Sequence, residues 1–328
     1  MAEKPYFFFN CSISATYQNR DADRKGIVDN ICQGKIMNSK REVVKLSDIE
    51  ISDVAATSFV TLYCHAIESQ SKDPILDDQK AVEITRELNK ILLVSENRLD
   101  KDLVKGKLKK ELVIHVAIRA KQYDRYVRDF LENAPDGIVV NIGCGLDSRF
   151  LRVDNGRVMF YDLDLPEVIE IKKQFFEENE RYHFISSSVL NNEWMSIVVE
   201  HEGPFLFVAE GVFMYLDPQD VQSLILKLQS KFPGSELVCE VFNSLWLRKP
   251  LKRMMNYKMQ HQLHLGKDAT FHFGIRDSQE MEEWHAGIEF LDDWSYFDSE
   301  EKKLGWLKMF RNIEFFRKTQ WTVHYRLN

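Results

Sequence analysis

Three groups of residues have types and spacing that could do chemistry: the turn Gly143-Cys144-Gly145, the acids Asp162 and Asp164, and Glu210. Glycines in a tight turn let a ligand approach the backbone, and a helix opening just after them offers unpaired N–H groups. Asp162 and Asp164 lie 19 and 21 residues past Gly143. That is close to the spacing of roughly 20 at which an acid takes ribose hydroxyls. Together they describe a site for a nucleotide-like ligand, cradled by Gly143, Cys144 and Gly145. Cys144 has no activating neighbour in sequence, and its small side chain is the simpler reason for its place in the turn.

Two ligand classes fit this pattern. A dinucleotide fingerprint wants a third glycine at position 148, for close packing and pyrophosphate access, and the chain has Ser148 there. S-adenosylmethionine carries no phosphate, and its sulfonium cation favours carboxylates such as Glu210. The balance favours the methyl donor. Tyr215, a few residues after Glu210, is a candidate to line an acceptor pocket and equally a candidate core residue.

Such a turn must follow a strand. Ile138-Val139-Val140-Asn141-Ile142 is a short apolar run after Pro135-Asp136-Gly137, the pattern of a buried parallel strand, with a helix expected from near Asp147. Further strands are expected at 158–161, 183–186, 204–209 and 237–241, with helices from Pro166 to about Glu178 and from Pro218 to about Phe232. Asp217 supplies the N-cap carboxylate of the second. Segments 290–297 and 321–327 read as closing strands, one of them antiparallel at an edge. Strands alternating with helices make an open α/β sheet covered on both faces. The three- and four-residue steps of Val82, Ile84, Leu88, Ile91 and Leu92 mark helices ahead of the sheet. The expected division is an N-terminal arm at 1–45, a helical cap at 46–130 and an α/β domain at 131–328. An acceptor-side insertion is expected at about 243–287.

Composition narrows the classes. Apolar residues make up 44% and charged residues 29%, and 44 basic side chains face 51 acidic ones for a net charge of −7. A dedicated nucleic-acid binder normally carries a basic field, so nucleic acid is not the expected partner. Tyr6-Phe7-Phe8-Phe9 is cut short by Asn10 and Cys11, and no run reaches the roughly 20 apolar residues of a membrane span. Cys11, Cys32, Cys64, Cys144 and Cys239 are scattered without a C-x-x-C pair, which suits reduced thiols in a cytoplasmic protein and no metal centre. The stretch Arg248-Lys249-Pro250-Leu251-Lys252-Arg253 is either solvated surface or an attractor for an acidic substrate.

Three blocks resemble the leucine carboxyl methyltransferase family, and its bacterial polyketide O-methyltransferase branch more closely. They are Val139–Phe150 around G-C-G-L-D-S-R-F, Tyr161–Pro166, and Ala209–Leu216 reading A-E-G-V-F-M-Y-L. The resemblance runs from about Asp53 onward. It implies a Rossmann-like class I S-adenosylmethionine-dependent methyltransferase fold, a mostly parallel seven-stranded sheet with a helical N-terminal cap. Carried over by position, it makes Arg119 the partner of the donor's methionyl carboxylate, Gly143 the glycine under the donor, Asp164 the ribose acid and Glu210 the acid after the fourth strand. Where many members have Asp-Leu near the adenine, this chain has Val189-Leu190 after Ser188. Val189 cannot accept from an adenine amino group, which leaves Ser188 or a backbone carbonyl.

A carboxylate acceptor is already ionised near neutral pH and needs only placement and exclusion of water. A phenol would need a base, for which His264, His272 and His285 are the candidates. The expected activity is O-methylation of a small-molecule carboxylate or hydroxyl, with S-adenosyl-L-homocysteine as product. A protein C-terminal carboxyl methyltransferase, a non-catalytic adenosyl-ligand-binding module and a nicotinamide-dependent oxidoreductase remain as alternatives.

Overall fold

A computed structural model of the chain describes residues 53–253 and 270–328. The arm at 1–45 and His264 lie outside the described residues. Four helices come first: α1 (Asp53–Ser69), α2 (Gln79–Leu92), α3 (Arg98–Val104) and α4 (Lys110–Asn133). Then β1 (Ile138–Ile142), α5 (Arg149–Val153), β2 (Met159–Asp164), α6 (Pro166–Lys172), β3 (Tyr182–Ser186), α7 (Glu193–Val198), β4 (Phe205–Ala209), α8 (Pro218–Lys231) and β5 (Ser235–Phe242) alternate, and β6 (Ile288–Trp294) and β7 (Gln320–Leu327) close the sheet.

The seven strands lie in the order β3-β2-β1-β4-β5-β7-β6. β1 pairs in parallel with β2 on one side and β4 on the other, so the strand order reverses there. That switch point leaves a crevice beyond the carboxyl ends of β1 and β4, where open α/β sheets bind ligands. The antiparallel strand is β7, which pairs with β5 and β6 and sits between them. It is therefore an inner strand, and β6 takes the edge.

Alternation along β1 divides the core. Val139 joins Phe160, Leu206, Val208 and Val238 in a cluster with apolar residues of α1, α2, α3 and α4. Ile138, Val140 and Ile142 face the other way, onto a cluster with α7 and α8 residues such as Trp194, Met195, Val221 and Leu224. The N-terminal helices thus share one continuous core with a face of the sheet, and α4 carries Val116, Tyr123 and Val127 into it.

Two local expectations differ. α6 ends at Lys172, six residues short of Glu178, where the Lys172 side chain turns inward to Asp162. Asp217 is the N-cap residue of α8, but its carboxylate makes no cap hydrogen bond and lies 3.8 Å from His272 Nδ1. Among the described residues, no helix is long and apolar enough to cross a membrane.

Candidate functional site

The turn after β1 is held open by backbone geometry. Gly143 and Gly145 have φ of 64° and 51°, in the left-handed region. The Gly143 and Cys144 N–H groups both donate to Leu163 O, at 2.8 and 3.2 Å, which ties the turn to β2. A Cβ on Gly143 would fall 2.3 Å from Val212 Cγ2, so the turn can pass beneath that loop only as glycine. Gly145 N donates to Asp164 Oδ2 at 2.7 Å, and Leu165 N donates to the other oxygen. Burial still pushes the Asp164 carboxyl up to about 6 against those two bonds.

Glu210, one residue past β4, lies between two guanidiniums. It accepts from Arg119 Nε at 2.6 Å and from Arg149 Nη2. Arg119 Nη1 also donates to Glu240 Oε2 on β5 at 2.8 Å. Arg149 donates through Nε to Asp124 at 3.1 Å and through Nη1 to Asn141 at 3.0 Å, and it pairs with Asp147 at 3.0 Å. Arg152 continues the chain of charges to Asp124, Asp147 and Asp78. Arg119 and Arg149 are buried and Arg152 nearly so, as expected only where charges are paired.

Five carboxylates therefore meet three guanidiniums: Asp78, Asp124, Asp147, Glu210 and Glu240 against Arg119, Arg149 and Arg152. Burial works against ionisation of Glu210, but Arg119 and Arg149 outweigh it and hold the group below the usual carboxylate range. Asp147 is lowered the same way by Arg149 and Arg152. At Glu240 burial wins, with repulsion from Glu210 added to it, and the carboxyl rises to about 7 despite Arg119.

Four of these groups, Arg119, Asp147, Arg149 and Glu210, border one cavity. Its floor is Asn141, the Gly143–Asp147 turn and Arg149, and its charged wall is Arg119 with Glu210. The facing wall is α1, through Ser58, Thr61, Leu62 and His65, which recur at helical spacing. His65 Nδ1 lies 3.0 Å from Asp78 Oδ2, and its Nε2 is buried without a hydrogen-bond partner. Atoms of His65, Asp78 and Asp147 lie within 4.8 Å of one another. Arg152 already spans both carboxylates, so a cation there would have to displace a guanidinium.

Of the expected ligand residues, Arg119, Gly143, Cys144, Gly145 and Glu210 border the cavity, and the others do not. Asp162 is an interior group that accepts from Asn141 Nδ2 at 2.8 Å and Tyr182 OH at 2.5 Å and pairs with Lys172 at 2.9 Å. It joins β1, β2 and β3. Asp164 stands beside the cavity through Gly145, and Ser187 N donates to its carbonyl at 2.9 Å. That bond anchors the Ser188-Val189-Leu190 loop: Ser188 Oγ accepts from Leu190 N at 3.3 Å, Val189 O accepts from Trp194 Nε1 at 3.0 Å, and Leu190 is exposed. Tyr215 is buried edge-on to Phe271 at 5.1 Å, away from the cavity lining.

Neither described candidate base reaches the cavity. His272 is exposed and 2.9 Å from Thr270 Oγ1. His285 precedes β6, whose first residue pairs with the last of β7, so it stands at the end of the sheet opposite the crevice. Sequence reading passed over His65, Asn141, Asp147 and Arg149. The last two lie inside G-C-G-L-D-S-R-F and were within reach, whereas His65 carries no motif.

The leucine carboxyl methyltransferase family model matches residues 58–229, just over half the chain. The tetracenomycin polyketide synthesis O-methyltransferase TcmP of Streptomyces glaucescens is 29% identical over 252 residues, covering 76% of this chain and 86% of that protein. A putative S-adenosyl-L-methionine-dependent methyltransferase of Mycobacterium marinum is 27% identical over 228 residues, 60% of this chain and 74% of its own length. Among solved structures, an O-methyltransferase family protein from Burkholderia thailandensis aligns with a TM-score of 0.42 at 13% identity, over 79% of this chain and 73% of that one. The glycine turn, the acid after β4 and the family match over both identify the chain as a member of the leucine carboxyl methyltransferase family, an S-adenosylmethionine-dependent methyltransferase.

Proposed function

We propose that this enzyme methylates an oxygen of a small molecule, a carboxylate or a hydroxyl. The observation that carries the reading is the charged cavity at the β1–β4 switch point, where Glu210 is fixed between Arg119 and Arg149. The residues fit the methyl donor. The glycine turn is a cradle that a Cβ would fill, the carboxylates of Asp147 and Glu210 suit a sulfonium, and His65 offers an unpartnered ring nitrogen. When bound, the donor supplies an electrophilic methyl group on a positively charged sulfur.

Each group of residues has a part in holding it. The glycine turn and Asp164 lie toward the adenosyl end, and the Ser188–Leu190 loop follows from Asp164. Arg119, Glu210 and His65 form the charged end. Glu210 stays ionised beside its two arginines and sets a fixed carboxylate on the cavity wall for a cationic ligand. α1 covers the turn, with Ser58 against Gly145, and keeps water from the reacting atoms. Placement contributes most for an acceptor that is already ionised, by roughly 7–11 kcal/mol in favourable cases. Likeness to the tetracenomycin-pathway enzyme favours a small molecule over a protein C-terminus.

The test is methyl transfer from isotopically labelled S-adenosylmethionine to two panels, one of aromatic and polyketide-like phenols and carboxylic acids, the other of peptides ending in leucine. Label recovered as a methyl ether or ester of a small molecule supports the reading. Label on the peptide carboxyl alone would replace it.

A further inference from the structure

His65 is held in one orientation from outside the cavity. Asp78 Oδ1 accepts from the Ala81 N–H at the start of α2 at 2.9 Å and from Ser148 Oγ at 2.6 Å. Asp78 Oδ2 accepts from Arg152 Nη1 at 2.9 Å and faces His65 Nδ1 at 3.0 Å. A carboxylate saturated with donors fixes the tautomer of its histidine: Nδ1 carries the proton and donates to Asp78, which leaves Nε2 as the free end of the ring. His65 is buried, borders the cavity, and its Nε2 has no partner within the protein. Buried polar atoms are ordinarily satisfied, so such a nitrogen on a cavity wall points to a ligand atom.

The surroundings say which part of the ligand. All three nitrogens of Arg149 are engaged by protein groups, and so are Nε and Nη1 of Arg119. Charged groups stand close to His65: Asp78 and Asp147 have atoms within 4.8 Å of it, Arg152 bridges those two acids, and Arg119, Arg149 and Glu210 line the same cavity. A neutral adenosyl group gains little there, whereas an ammonium and a carboxylate belong among fixed opposite charges. We propose that His65, oriented by Asp78, is the hydrogen-bond partner of the amino-acid end of the methyl donor, and that Asp78 is its positioning residue. The proposal rests on the reading that this cavity takes the donor.

The experiment compares S-adenosylhomocysteine with 5′-methylthioadenosine, which keeps the adenosyl thioether and lacks the amino-acid end. Binding of each to the full chain is measured by calorimetry. His65→Ala removes the ring, and His65→Asn keeps a donor for Asp78 while removing Nε2, which guards against a folding defect in the first variant. Both variants should lose about tenfold to a hundredfold in affinity for S-adenosylhomocysteine and bind 5′-methylthioadenosine as the wild type does. Unchanged affinity for S-adenosylhomocysteine in a folded variant overturns the proposal, as does an equal loss for both ligands. A wild-type protein that binds neither ligand would fail the donor reading itself, and the proposal with it.

Discussion

Ser148 Oγ donates to Asp78 Oδ1 across 2.6 Å, so the N-cap residue of α5 is bonded to the N-cap residue of α2. Each helix start is thereby fixed by the other, and the glycine turn that precedes Ser148 is locked to the N-terminal helices. Asp78 stands at the crossing, taking hydrogen bonds from Ser148, Arg152, His65 and the Ala81 N–H.

That crossing has an acid signature. Burial opposes ionisation of Asp78, but His65, Arg152 and Ser148 outweigh it and bring the carboxyl from 3.8 to about 2. A depressed folded value stabilises the fold above the unfolded value and is lost as pH falls through the folded one. The contribution should be about 2 kcal/mol at pH 7, fading between about pH 4 and pH 2. Denaturant melts of wild type and Asp78→Asn at pH 7 and pH 2.5 measure it. A stability gap of the same size at both values would mean that ionisation of Asp78 is not its source.

Arg119 faces Glu210 and Glu240 together, so removing it does more than weaken a ligand. Arg119→Ala leaves Glu240 without a counter-charge and Glu210 with Arg149 alone, and should cost about 3–5 kcal/mol in chemical denaturation. Glu240→Gln should cost far less near neutral pH, because burial already pushes Glu240 up to about 7 and the amide resembles the protonated acid. Equal losses from the two variants would contradict this division.

Gly143→Ala puts a Cβ 2.3 Å from Val212 Cγ2 at a φ of 64°. The turn should shift, lowering thermal stability and weakening S-adenosylhomocysteine binding at least tenfold. Adding Val212→Ala should recover part of the stability by removing the steric overlap, while the strain of the positive φ stays. Full additivity in the double-mutant cycle would show that the two residues do not clash.

Cys144 sits in the turn yet should be inert. Burial, outweighing the pull of Lys172, pushes its thiol well above the ordinary value. Peptide mapping after brief alkylation of the native protein at pH 7.5 should find Cys144 unmodified, and labelled only after unfolding. Rapid labelling in the folded state would indicate that the turn opens.

The sheet was readable because its signals are local. Ile138–Ile142 is a buried run framed by a turn and a glycine pair, and it forms β1 with the expected bounds. Gly143 and Glu210 came with specific blocks, Arg119 came by position on the helix before β1, and all three border one cavity. The spacing of Asp162 suits a ribose acid and a buried partner for Lys172 alike, and it is packing that sets the carboxylate on Lys172 and off the cavity lining. His65 was illegible because Asp78 and Asp147, which give it meaning, join it through the fold and not through spacing. The inner place of β7 was hidden for a similar reason, because an apolar strand at the end of a sequence looks the same at an edge or inside.

The placement of β7 bears on how the protein comes to be folded. Glu236 on β5 meets Arg326 on β7 across 90 residues of sequence, so the antiparallel end of the sheet closes by one of its longest-range pairings. Until β7 inserts, β5 and β6 each present an unpaired edge, a template for another chain. Long-range pairings of this kind form slowly, and an intermediate waiting on this one is open to aggregation while it waits. In a crowded cell that waiting time is where a chaperone would act, and where a substitution in Gln320–Leu327 would lower yield before it touched catalysis.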